Sequence, residues 1–187
     1  MKKYLLLAMM SSVIAGCAVP DIFNENGNQA VNRVTVKDAN MIEASHQAAD
    51  ALTTQASYLK ADLKPVLITS VANITNLNSS SAFGLMVSEQ IGNRISQFGF
   101  PVIDIRNRKD IKIREKTGEF MLSRDVQKIS RQHAAGAVLV GTYAAGKDKV
   151  FVSVRLVRPE DNRILASHNF DLPMGPNTYK LVKKRTR

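Results

Sequence analysis

The chain has 187 residues, a single cysteine and a formal net charge of +10, from 26 Lys and Arg against 16 Asp and Glu. This length is enough for one domain with a sizeable core, and a lone cysteine excludes a disulfide bond within the chain. The positive charge fits anionic partners such as nucleic acid, lipid headgroups, peptidoglycan or acidic proteins, and it equally fits a basic face that keeps the protein soluble.

The first 16 residues are typical of a bacterial export signal. Lys2 and Lys3 supply positive charge, an apolar run follows at 4–14, and small residues lead to Cys17. The run is shorter than the roughly 20 residues that cross a bilayer, so a cleaved signal peptide is the better interpretation. Its removal leaves 171 residues, and the net charge falls from +10 to +8 because both lysines leave with it. Export argues against nucleic acid as a partner.

The residues around the cleavage point, Ile14-Ala15-Gly16-Cys17, resemble the lipobox of bacterial lipoproteins. The resemblance implies cleavage between Gly16 and Cys17, and acylation of the thiol and of the new amino terminus of Cys17. Three acyl chains hold a protein firmly on a membrane, because each buried methylene contributes about 0.8 kcal/mol. Ala18, in place of Asp, implies the outer membrane by similarity to enterobacterial sorting rules. The alternative is an ordinary signal peptide with an incidental cysteine.

Residues 17–37 predict a flexible tether, since apolar periodicity is weak and Asn, Gln, Gly and Pro are frequent. About 20 residues reach at most roughly 70 Å. A single domain is predicted at 38–174, and 175–187 is predicted to be a basic, mobile tail. The domain begins with a helix at 38–63, which Asp38 caps and Pro65 stops.

The middle of the domain alternates strands and helices. The β-branched run at 65–74 predicts a buried strand, and Ser79-Ser80-Ser81 predicts the start of a second helix. Gly99 is placed to end that helix, and a further strand is predicted at 100–105. The second helix is predicted to bury one apolar face, which consists of Phe83, Met86, Val87, Ile91, Ile95 and Phe98.

The second half of the domain follows a charged segment at 106–118. A third helix is predicted at 124–134, with a cap at Ser123 and three residues facing inward, Val126, Ile129 and His133. Three strands follow, predicted at 136–144, 150–157 and 164–170. This order predicts an α/β (α+β) fold: a mixed five-stranded sheet with three packed helices, two β-α-β crossovers and a C-terminal antiparallel meander.

The spacing of reactive side chains does not indicate enzyme chemistry. His46, His133 and His168 fall on separate elements without the spacing of metal ligands, and no second cysteine accompanies them. The sequence contains neither a Gly-x-Ser-x-Gly elbow nor a phosphate-binding loop. We therefore expect a non-enzymatic protein with no metal and no cofactor.

A basic segment at 106–116 is the candidate partner surface. Ile111 and Ile113 alternate with charges, which suits a short edge strand that a partner extends. Lysines on an edge strand also block such pairing, and a solvated charged face is the alternative. The candidate contact residues are Arg106, Arg108, Lys109, Lys112, Arg114 and Lys116.

Several runs of residues resemble the FlgO-type flagellar outer-membrane lipoproteins and together extend over residues 39–172. The most specific run is Gly118-Glu119-Phe120-Met121-Leu122-Ser123-Arg124-Asp125. The other runs are Ser80-Ser81-Ala82-Phe83-Gly84, Ser88-Glu89-Gln90-Ile91, Gly99-Phe100-Pro101-Val102, Leu139-Val140-Gly141-Thr142-Tyr143, Val152-Ser153-Val154-Arg155-Leu156-Val157 and Asn162-Arg163-Ile164-Leu165-Ala166-Ser167.

The resemblance implies a non-enzymatic, periplasm-facing outer-membrane lipoprotein that is required for flagellar assembly, stability or motility. Its implied partners are the outer membrane, through the acyl chains on Cys17, and other flagellar outer-membrane or periplasmic ring proteins; an oligomer is compatible with this role. The alternative is an outer-membrane lipoprotein that regulates a periplasmic peptidoglycan-assembly machine. Such a regulator needs a long linker across the peptidoglycan, so the short tether at 17–37 favours the flagellar class.

Overall fold

The structure is a computed structural model, and it describes residues 36–77, 80–105, 115–116, 119–120 and 124–183. These ranges contain the helices α1 Met41–Gln55, α2 Tyr58–Ala61, α3 Ala82–Gln97, α4 Arg124–Gln132 and α5 Pro176–Val182. The strands in the same ranges are β1 Val66–Ile68, β2 Ala72–Asn73, β3 Val102–Asp104, β4 Glu115–Lys116, β5 Glu119–Phe120, β6 Ala137–Ala145, β7 Lys149–Val157 and β8 Ile164–Pro173.

The central sheet has the strand order β3-β1-β6-β7-β8. β1 pairs in parallel with β3 and β6, and β7 and β8 continue from β6 in antiparallel pairing. Helices α3 and α4 lie between the parallel strands in the chain, so the two predicted crossovers and the C-terminal meander are both present. The predicted fold class is therefore confirmed.

The sheet has six strands instead of the predicted five, because the strand predicted at 65–74 is formed as two segments. β1 ends opposite Leu139 of β6, and β2 starts opposite Thr142. The three residues 69–71 therefore lie opposite only two residues of β6, 140–141, which is the geometry of a bulge. Thr69 bridges the interruption, since its N–H and its hydroxyl donate to the carbonyl oxygen of Leu139 at 3.2 and 2.7 Å.

The first predicted helix is formed as α1 and α2, with a break at Ala56 and Ser57. Its N-cap is Asn40, whose Oδ1 accepts the backbone N–H of Glu43 at 3.2 Å. The prediction that Asp38 caps this helix is wrong, because both oxygens of that carboxylate accept hydrogen bonds from residues of α5.

Helices α1 and α3 cover one face of the sheet and form the main core. The stripe of α3 that faces this core is fully buried, and it consists of Phe83, Val87, Ile91 and Ile95. The sequence predicts Met86 and Phe98 on the same stripe, but they are 38% and 36% exposed, so the prediction is wrong for these two. Met86 is turned by about 100° from Val87 around the helix axis. Phe98 is the C-cap, where the guanidinium of Arg94 lies 4.7 Å from its ring centre.

An ion pair also joins α1 to α3. Arg94 donates from Nε to Oδ1 of Asp50 at 2.8 Å and from Nη2 to Oδ2 at 3.2 Å. The hydrogen bonds from Arg94 hold the pKa of Asp50 below its usual range. Both side chains are partly exposed, so the pair fixes the register of the two helices more than it adds stability.

Helix α4 covers part of the opposite face. Val126 is buried against a smaller cluster that contains Leu67, Ile105, Val138, Val140 and Val157. Ile129 packs against the same cluster, as predicted. The prediction that His133 faces inward is wrong, because the helix has already ended at Gln132 and the imidazole is exposed. The predicted cap, Ser123, lies outside the described residues.

Residues 176–182 correct the prediction of a mobile tail, because they form the helix α5. In α5 the side chain of Thr178 is buried, and those of Leu181 and Val182 pack against the main core. Seven residues give too short an apolar pattern for the sequence to separate a helix from a loop. None of the helices in the described part of the chain has the length and apolar character to cross a bilayer.

Candidate functional site

The strands β2, β3 and β6 end at one edge of the sheet, which we call the carboxyl edge. The N–H of Ile105 donates to the carbonyl oxygen of Ile68 at 3.1 Å, directly before the basic segment. The N–H of Ile74 donates to the carbonyl oxygen of Tyr143 at 2.9 Å, close to the turn between β6 and β7. Contacts in α/β folds are concentrated where parallel strands end, so this edge is the candidate functional site.

The residues that the sequence singles out for function fall mostly outside the described ranges. Cys17 and Gly16 precede them, and five of the six basic contact residues lie in the gap after Ile105, namely Arg106, Arg108, Lys109, Lys112 and Arg114. Lys116 belongs to β4, whose backbone pairs in antiparallel fashion with β5 of the same chain. The partner surface at 106–116 therefore stays a prediction, and the structure adds only that the segment leaves β3 at the carboxyl edge.

The chain enters the domain at the same edge, and Asp38 fastens it to α5. Its Oδ2 accepts hydrogen bonds from the backbone and side-chain nitrogens of Asn177 at 3.0 and 2.9 Å, and its Oδ1 accepts the N–H of Thr178 at 2.9 Å. Gly175 permits this approach, because a Cβ there would overlap Asp38. Asp38 thus supplies acceptors to the first turn of α5, which offers no side-chain cap of its own.

We expect Asp38→Ala to lower the thermal unfolding temperature at neutral pH, because two backbone N–H groups of α5 lose their acceptor. Backbone hydrogen bonds from Thr178 and Asn177 hold the pKa of Asp38 below its usual range. A carboxyl group of this kind stabilises the fold above its unfolded pKa of about 3.9, and the contribution disappears as the pH falls through the lower folded pKa. The difference between the two proteins should therefore shrink in acid.

Circular dichroism melts over a series of pH values measure this difference. Asp62→Ala removes the same charge from the segment after α2 and serves as the matched control, with no shift expected. A difference between wild type and Asp38→Ala that persists unchanged at the most acidic pH would contradict the role of the carboxylate.

Part of the sheet face beside α4 is uncovered at the carboxyl edge. Phe151 and Ile74 are 54% and 55% exposed there, although both are large and apolar. They border an open groove of about 340 Å³, lined also by Thr142, Ala144, Ser153 and Asn169. At its rim, Nζ of Lys149 lies 2.7 Å from Oδ2 of Asp171. Successive side chains of a strand point to opposite faces of the sheet, so Phe151 lies on the face away from the buried Val150 and Val152.

The outer edge of the sheet is closed to strand addition at one point. The side-chain amide of Gln55 donates to the carbonyl oxygen of Ser167 at 3.1 Å and accepts the N–H of the same residue at 3.2 Å. Gln55 therefore occupies the outward N–H and carbonyl groups of Ser167, as a neighbouring strand would, and blocks strand addition to β8 at this residue.

The three histidines are not brought together. His46 lies on α1, His133 follows α4 and His168 lies on β8. Across the described ranges, no group of three His, Cys, Asp or Glu side chains is arranged to hold a metal ion. The described residues define a mixed α/β domain.

The family of this domain follows from comparison with known proteins. The family model described as "FlgO protein" matches residues 46–177, well over half of the chain. The chain therefore belongs to the FlgO family, as the residues quoted above predict. No curated protein matches the chain in sequence.

Among solved structures, the chain is similar to the LpoB C-terminal domain from Salmonella enterica, with 17% identity and a TM-score of 0.45 over 68% of this chain and 96% of that one. It is similar to the LpoB C-terminal domain from Escherichia coli, with 16% identity and a TM-score of 0.41 over 66% and 96%. It is also similar to lipoprotein GNA1162 from Neisseria meningitidis, with 18% identity and a TM-score of 0.41 over 60% and 82%.

Proposed function

We propose that this FlgO-family protein is a non-enzymatic outer-membrane lipoprotein that supports flagellar assembly, stability or motility through contacts near the flagellar outer-membrane rings. The family match over residues 46–177 carries the proposal. The lipobox that ends at Cys17 supports the anchoring part, because acylation there would hold the domain at the membrane. The partners in this proposal are other flagellar outer-membrane or periplasmic ring proteins.

The contact is proposed to involve the basic segment at 106–116. Its sequence carries six Lys and Arg against Asp110 and Glu115, and it begins where β3 ends at the carboxyl edge. A segment of this charge favours an acidic partner surface and accelerates association with it. The uncovered groove beside Phe151 lies at the same edge and adds an apolar contact.

Deletion of the gene tests the proposal. We expect slower swimming and fewer flagella, with growth rate and cell shape unchanged, because a contact-forming ring component affects only the structure that it supports. Soft-agar spreading, single-cell tracking and electron microscopy of flagella measure the effect. A peptidoglycan regulator gives the opposite pattern, with shape or lysis defects and intact swimming, and that pattern would contradict the flagellar role.

Complementation of the deletion strain locates the contact. A gene that carries Arg108→Glu, Lys109→Glu and Lys112→Glu should fail to restore swimming. The matched control carries Lys60→Glu, Lys64→Glu and Lys128→Glu, the same change of charge on exposed residues outside the basic segment, and it should restore swimming. Equal recovery by both variants would remove 106–116 as the partner surface and leave the anchoring part untouched.

A further inference from the structure

The outward face of α5 carries a tyrosine and two lysines at helical spacing. Pro176, Tyr179, Lys180 and Lys183 follow one another at intervals of three, one and three residues, and all four side chains are exposed. Such intervals place residues on one stripe of a helix. The opposite stripe is the one that packs on the domain, since Thr178 is buried there. α5 is therefore amphipathic, with a basic and aromatic face turned to solvent.

The charge of this face is not balanced by acids in the same stretch of the sequence. The sequence contains no Asp or Glu from Leu172 to the last residue, and Lys184, Arg185 and Arg187 follow the helix. Two carboxylates at this edge are engaged elsewhere, because Asp38 accepts hydrogen bonds from the start of α5 and Asp171 pairs with Lys149, whereas Asp148 lies in the exposed turn before β7. The outward face of α5 itself carries Lys180 and Lys183 and no carboxylate.

Tyr179 gives the face a second property. Its ring is 53% exposed, and the ammonium of Lys183 lies 5.5 Å from the ring centre. Tyr is an amphipathic side chain whose ring suits the headgroup level of a bilayer, and Lys extends its charge toward phosphates while its methylenes stay on apolar surface. Basic residues beside exposed aromatic rings are typical of helices that lie on anionic lipid surfaces.

We propose that the outward face of α5 binds anionic phospholipid headgroups of the membrane that carries the anchor. The position of the helix favours lipid as the anion, because Asp38 accepts hydrogen bonds from the start of α5 at the point where the tether predicted at 17–37 enters the domain. The inference rests on the anchoring part of the proposed function, since the acyl chains bring the domain to a membrane. The contact would orient the domain, with α5 toward the leaflet.

Vesicle flotation tests the inference on the mature chain with Cys17→Ser, which carries no acyl chain. It is mixed with vesicles of phosphatidylcholine alone, or of phosphatidylcholine with roughly one-third phosphatidylglycerol. We expect binding to the anionic vesicles only, weakened by added salt because exposed charges are screened over about 10 Å at 0.1 M. Lys180→Glu with Lys183→Glu should reduce binding at least about tenfold.

The matched control is Lys60→Glu with Lys64→Glu, which changes the same charge at the opposite end of the domain, where Lys64 precedes β1. It should bind as the parent does, and circular dichroism melts should show all variants folded. If both double variants lost vesicle binding equally, net charge alone would explain the effect and the inference would be overturned. Binding to peptidoglycan sacculi in place of anionic vesicles would also overturn it, and neither result bears on swimming, which tests the proposed function separately.

Discussion

Replacement of Cys17 by Ser is expected to abolish acylation and to remove the protein from the outer membrane. Cys17 is the only thiol in the chain, so no other residue takes a thioether-linked lipid. Each buried methylene contributes about 0.8 kcal/mol, and a single fatty chain holds a protein only reversibly, whereas three chains hold it stably. Without the three acyl chains, the protein is no longer held stably on the membrane and keeps only the weak contact that the folded domain makes with it.

Labelling cells with radioactive palmitate, followed by fractionation of membranes, measures the effect. The Cys17→Ser protein should carry no label and should accumulate as the uncleaved precursor. Ala18→Asp is the matched control, because it alters the neighbouring residue while the thiol remains. That variant should keep its label and be retained in the inner membrane by similarity to enterobacterial sorting. Palmitate retained by Cys17→Ser would refute the lipobox assignment.

The family-like run at 80–84 shows why much of the fold was predictable. Ser81 caps α3 by accepting the N–H of Gly84 at 3.4 Å, and the ring of Phe83 meets that of Tyr143 edge-on, with centroids 5.4 Å apart. Cap residues and apolar spacing are local signals, so the sequence predicts both the start of the helix and its buried face. The run is therefore explained by packing.

The role of Asp38 shows where local signals fail. An Asp before an apolar stripe favours an N-cap of the helix that follows, and Asn40 competes for the same position. The carboxylate instead serves a helix that begins 138 residues later, at Pro176. Helix propensity holds no information about contacts between residues so far apart in the sequence, and the apolar pattern of a seven-residue helix is too short to reveal the contact from the side of α5. The same reasoning explains why the sequence predicts a mobile tail at 175–187, where the structure has α5.

The groove beside Phe151 was missed for a different reason. In the structure, β7 alternates between the two faces of the sheet, so that Val150, Val152 and Val154 are buried while Phe151 lies on the other face. The alternation of a strand does not predict whether another element covers that second face. In the structure, α4 covers only the part near Val138 and Val140. Coverage depends on where a helix ends relative to the sheet, which is a tertiary property.

A Cβ added to Gly84 is expected to cost more stability than a Cβ added to Gly92, the other glycine of α3. The first turn of this helix rests on the backbone of Val71, whose carbonyl oxygen accepts the hydroxyl of Ser80 at 2.6 Å. A Cβ at Gly84 would overlap that carbonyl oxygen and would lie 2.5 Å from Oγ of Ser80. A backbone carbonyl cannot rotate away, so α3 itself must shift.

Gly84→Ala is therefore expected to lower the free energy of unfolding by about 1–3 kcal/mol, the usual range for overpacking. Gly92→Ala makes the same chemical change two turns later on α3, where the nearest atom is Cγ1 of Ile68 at 3.1 Å. A flexible side chain moves by a few tenths of an ångström, and the gain in helix propensity from Gly to Ala, about 1 kcal/mol, offsets the contact. Urea unfolding of both variants should separate them by roughly 2 kcal/mol at similar m-values. Equal stability of the two variants would show that α3 does not rest on Val71, and the packing explanation of residues 80–84 would fail with it.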